Sequence, residues 1–78
     1  MSETRLVKTI AAEIREDWTN INPAANAYLE AMEVSNYIDS MYLFETVQGI
    51  VLYFLSNAGS WRGETARRIK KELKEMSS

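Results

Sequence analysis

Two groups of side chains in this chain could do chemistry. The first is a set of close carboxylates: Glu13 with Asp17, Glu16 with Asp17, and Glu30 with Glu33. Paired carboxylates serve general acid–base catalysis or divalent-cation binding, and either use needs a cleft to shift or concentrate them. A short helical chain offers little cleft. The second group is basic. Residues 60–78 hold six Lys/Arg against three Glu, a net of +3, whereas residues 1–59 hold three bases against eight acids, a net of −5. Histidine and cysteine are both absent, which removes the commonest general base, the thiol nucleophile and most transition-metal ligands. The glycines Gly49, Gly59 and Gly63 are scattered rather than gathered into a phosphate-cradling loop. No catalytic residue, metal site or cofactor is expected, and the chain reads as a non-enzyme.

Helices must position whatever these residues do. Leu6, Val7, Ile10, Ala11, Ile14 and Trp18 recur at three- and four-residue spacing, the stripe of an amphipathic helix over about 3–18, with Ser2 as N-cap and Glu3 in the first turn. Asn22 before Pro23 marks a second start, and the helix runs over about 23–33, burying Ala25, Tyr28, Leu29 and Met32. A third helix is expected over about 41–57, stopped by Asn57 and Gly59. Ser60 then caps a fourth over about 61–76, whose inward face is Trp61, Thr65, Ala66, Ile69, Leu73 and Met76. No strand is required. The expectation is a single all-α domain, residues 1–78, folded as a small compact bundle of four helices.

At 78 residues, such a core supplies only about 3–5 kcal/mol of net stability, and self-association is a common supplement. The longest apolar run, residues 50–55, falls short of the roughly 20 residues of a membrane span. Without an apolar leader near the N-terminus, a cytoplasmic protein is expected.

Three surfaces stand out. On the third helix, Leu43, Phe44, Val47, Ile50, Val51, Phe54, Leu55 and Ala58 share a broad face, while Leu52 and Tyr53 project oppositely beside Gly49 and Glu45. Either the helix is enclosed by the other three, or Gly49, Leu52 and Tyr53 form a partner-binding or self-association patch, Gly49 allowing another helix close approach. On the fourth helix, Arg68 lies one turn from Glu64 and Glu72, and Lys71 one turn before Glu75, which suits local pairing. That leaves Arg67, Lys70 and Lys74 as a stripe able to touch a polyanion, or simply a solvated face complementing the helix dipole. A DNA-binding helix-turn-helix register across helices three and four fails, because Thr65 and Arg68 land where buried apolar residues are needed, and a pI near 5.1 argues against a dedicated DNA binder. Trp61, Arg62 and Gly63 read as a structural corner fixing helix four. Arg62 is expected to cover Trp61 and reach an acid on another helix, with Asp17 a candidate partner.

Several stretches together, Tyr28 to Met32, Val51 to Ala58, Trp61 to Ala66 and Ile69 to Leu73, resemble small phage- and prophage-encoded proteins that end in a similar Trp-Arg-Gly and Ile-Lys-x-Glu-Leu segment. The resemblance covers the chain from Trp18 onward. It implies no established activity and carries over no functional residue. What it implies is context: accessory proteins of this size act by binding a host or phage protein, and some bind DNA. The leading expectation is a non-catalytic protein-binding module, monomeric or homodimeric, and the alternative is a weak nucleic-acid binder using the basic last helix.

Overall fold

The structure is a computed structural model that describes residues 4–78. Four helices, α1 (Val7–Asp17), α2 (Pro23–Glu33), α3 (Val47–Ser56) and α4 (Glu64–Ser77), carry the fold, and a two-stranded hairpin, β1 (Met41–Tyr42) with β2 (Glu45–Thr46), precedes α3. The all-α reading therefore holds at the level of fold class, with one small β element added.

Each helix begins where its first N–H groups find acceptors. The start of α1 lies at Val7, later than the expected residue 3, and the expected cap Ser2 and Glu3 lie outside the described residues. Its first donors are satisfied from across the molecule: Val7 N–H donates to the Asn36 carbonyl and Lys8 N–H to that of Ser35, both at 2.9 Å. Those carbonyls follow α2, so α1 is docked as it is capped. The start of α2 is as expected, with Asn22 Oδ1 accepting from Ala25 N–H at 2.8 Å and Pro23 opening the first turn.

The third helix departs from expectation. Residues 41–46 are a hairpin in the register Met41↔Thr46 and Tyr42↔Glu45, with Leu43 and Phe44 as its two-residue turn. Thr46 is the reason. Its backbone is extended and its Oγ1 accepts from Gly49 N–H at 3.0 Å, an N-cap that starts α3 at Val47. Val47 N–H also donates to the Ser40 carbonyl at 2.8 Å, closing the hairpin's base. The fourth helix likewise starts at Glu64 rather than residue 61, and Ser60 does not cap it. Gly63, with φ of 113°, turns the chain in a conformation that L side chains rarely adopt, and its carbonyl accepts the Arg67 N–H.

One contiguous core joins the helices, with Phe54, Ile10, Ile14, Leu29, Met32, Ile69 and Leu73 fully buried. At its end nearest the corner, Trp18 and Trp61 stack with ring centres 5.6 Å apart and planes 7° from parallel, and Phe54 meets both edge-on. Among the described residues, no helix is long and apolar enough to cross a membrane.

Candidate functional site

The hairpin, α2 and α3 enclose an apolar groove of about 390 Å³. Ala27, Tyr28 and Ala31 of α2 form one wall, Tyr42, Leu43, Phe44 and Glu45 of the hairpin form the other, and Ile50 of α3 lies between them. The helix-two wall exists because Ala27 and Ala31 sit one turn apart and their short side chains leave space that a Leu would fill. The hairpin wall exists because Thr46 stops α3 from extending backward. Phe44 is 97% exposed and Leu43 78% exposed at the hairpin tip. Leu43 holds φ of 57°, the one non-glycine residue with positive φ among those described. Helical spacing put both on the broad apolar face of the third helix, and the structure places them outside that helix, in the hairpin turn.

Of the expected patch, Leu52 and Tyr53 are about half exposed, so the enclosed-helix reading fails for that side of α3. Tyr53 stacks on Tyr28 with ring centres 5.4 Å apart, which makes it continuous with the groove's rim. Gly49 has a different role from the one expected. A Cβ there would lie 3.1 Å from Thr46 Oγ1 and 3.7 Å from Glu45 Oε1, so glycine keeps room for the cap side chain rather than for another helix.

The basic stripe does not stay together. Arg67 and Lys74 are exposed, whereas Lys70 is half-buried and turned back. Its Nζ donates to the Trp61 carbonyl at 2.7 Å and lies 5.9 Å from the centre of the Trp61 ring. Burial, then the like charges of Lys74 and Arg62, hold its pKa below the ordinary lysine value. Arg68 does not pair along its own helix. It meets Glu13 of α1, while Glu72 takes a two-pronged contact from Arg5 at 3.0 and 2.7 Å, and Arg5 also reaches Glu13 at 2.9 Å.

At the expected corner the three residues take different places. Trp61 is buried and Gly63 makes the turn, but Arg62 is exposed rather than core-facing. Asp17 is met by Trp61, whose Nε1–H donates to its Oδ2 at 2.8 Å. A polar hollow of about 320 Å³ opens beside this corner, yet both indoles face inward and offer no stacking platform to a ligand. Glu13, Glu16 and Asp17 border a shallower hollow with Thr65. Among the described residues, no three His, Cys, Asp or Glu gather in a metal-holding group.

Among the described residues, the groove is an apolar recess with exposed aromatic and aliphatic walls, while Arg5, Glu13, Arg15, Glu33, Arg68 and Glu72 are joined in ion pairs elsewhere. No protein-family model, curated protein or solved structure matches the chain.

Proposed function

We propose that this chain is a non-catalytic protein-binding module that docks its partner in the groove between α2, the hairpin and α3. The observation that supports this reading is Phe44, a large apolar side chain left 97% exposed on a turn whose neighbour Leu43 is held in the left-handed region. Burying a side chain of this kind is worth about 1.5–3 kcal/mol, and here folding leaves that stabilisation unclaimed. Strained backbone and exposed apolar surface that coincide at one place, beside a recess, fit a site kept for contact. Tyr28, Tyr53 and Leu52 extend the same surface along the helices.

Affinity capture from a bacterial lysate, the setting that the phage-like resemblance implies, tests the reading when wild type and Phe44→Ser are run side by side. Partners held by the wild type are expected to be lost with the variant, whose helical circular dichroism stays unchanged because the side chain contributes almost nothing to the core. Identical capture by both proteins would remove the groove as the docking site. Weak polyanion contact through Arg67, Lys70 and Lys74 is the other reading, and it requires Lys70 to leave the Trp61 carbonyl.

A further inference from the structure

The surface around the groove is apolar and one-sided. Every large apolar side chain left exposed among the described residues comes from residues 34–53, and none from α1 or α4. That interval holds only two charged residues, Asp39 and Glu45. Glu45 is the one charged residue of the groove lining, and its Oε1 would lie 3.7 Å from a Cβ at Gly49, so the carboxylate sits over the first turn of α3. The partial positive charge of a helix N-terminus suits it there. A knob and a hole stand side by side on this surface. Phe44 borders the recess and yet is almost wholly exposed, so its ring touches little of the walls beside it. A cavity of about 150 Å³ holds a benzene molecule. The recess, at about 390 Å³, has room for a phenyl ring with a leucine side chain beside it.

We infer that the groove is occupied by a second copy of this chain, with the Phe44 tip of each copy seated in the recess of the other about a twofold axis. This rests on the docking role proposed above and names the partner. A twofold contact pairs one patch with itself, and a projecting ring beside a recess is a patch of that kind. The size fits as well. The exposed parts of Leu43, Phe44 and Tyr53, with the groove-facing surfaces of Ala27, Tyr28 and Tyr42, amount to on the order of 500 Å² of apolar area. A standard interface buries about 800 Å² per partner, of which about 65% is apolar in homodimers. Charge does not oppose the pairing, because each patch brings one carboxylate that is already placed against a helix end. A 78-residue chain without cysteine also has association as its common supplement to a small core.

Sedimentation equilibrium of the full chain from about 1 to 100 µM tests this. The wild type is expected to pass from monomer to dimer in that range, and Phe44→Ser to weaken association roughly 100-fold, since each dimer loses two rings. Ala27→Leu, on an exposed position of the α2 wall, fills the recess while leaving Phe44 intact and is expected to weaken association likewise. Helical circular dichroism of both variants stays that of the wild type. One variant lacks the ring and the other lacks the recess, so mixing them restores one of the two contacts. The mixture is expected to associate about tenfold more weakly than wild type, where neither variant does so alone. A dimer that both variants preserve, or a mixture no better than its components, would overturn the pairing. A wild type that stays monomeric throughout would overturn the second copy as occupant. Lysate capture still dependent on Phe44 would then leave the docking role standing with another protein in the groove, and capture indifferent to Phe44 would remove both.

Discussion

Leu43 bears more on this protein than its neighbours do, because its backbone and its side chain argue in opposite directions. A left-handed conformation costs an L-residue about 1–2 kcal/mol, and glycine would avoid most of that at an entropic cost of about 0.5–1 kcal/mol. The Leu43 side chain, 78% exposed, returns little by burial. Leu43→Gly is therefore expected to raise stability in urea denaturation by about 0.5–1 kcal/mol while weakening whatever occupies the groove. A loss of more than about 1 kcal/mol would show instead that Leu43 holds the fold. This residue also marks where the sequence misled. Leu43, Phe44, Val47, Ile50 and Val51 fit helical spacing equally well whether or not the first two are in the helix, and apolar periodicity has no term for a cap. Thr46 followed three residues later by Gly49 is the signal that separates the readings. Gly49 was legible as unusual, but its neighbour in space is the cap hydroxyl, which wheel geometry does not display.

At the level of elements, the helix starts explain which boundaries could be read in advance. Asn22 and Pro23 announce α2 from local chemistry alone, and α2 begins there. The start of α1 depends on carbonyls of Asn36 and Ser35, which belong to a loop nearly thirty positions on, so no local pattern contains it. Gly63 defines α4 through a positive φ that the identity of the residue permits but does not demand. The caps also tie elements together. Asn22 Nδ2 donates to the Asn57 carbonyl at 2.9 Å, so this one side chain starts α2 and closes the end of α3. Asn22→Ala removes both contacts and is expected to cost about 1–3 kcal/mol. Thr46→Ala, which removes a cap alone, is expected to cost about 1 kcal/mol. Equal losses in parallel urea titrations would show that the Asn57 contact contributes nothing.

Over the whole molecule, charge is divided by side. The bases gather on α1 and α4, where Arg5, Glu13, Arg68 and Glu72 form one network joining the segment before α1 to the last helix. The wheel of α4 suggested local pairs, and only the packing of α1 beside it redirects Arg68. Hydrogen bonds from Arg68, then from Arg5, hold the Glu13 carboxyl below its ordinary value of 4.5. A carboxyl harder to protonate when folded than when unfolded contributes stability above the ordinary value and loses it as the pH falls through the lowered one. Glu13→Gln is accordingly expected to cost about 1 kcal/mol at neutral pH. The difference from wild type should close in acid as pH drops below about 4.5, readable from thermal unfolding across a pH series. A gap that persists unchanged into strong acid would assign the loss to packing rather than charge.

The stacked pair of Trp18 and Trp61 has an optical consequence. These are the only two tryptophans in the chain, and at 5.6 Å their transition dipoles are close enough to couple, so the indole signal of the folded protein is expected to differ from that of two separate indoles. Separating α4 from α1 restores two independent indoles, which makes tryptophan emission a readout of that one joint. The groove holds no indole: Tyr28 and Tyr42 line it and Tyr53 adjoins it, three of the chain's four tyrosines. A titration followed at both wavelengths can therefore distinguish an occupant that fills the recess from one that pries the last helix loose.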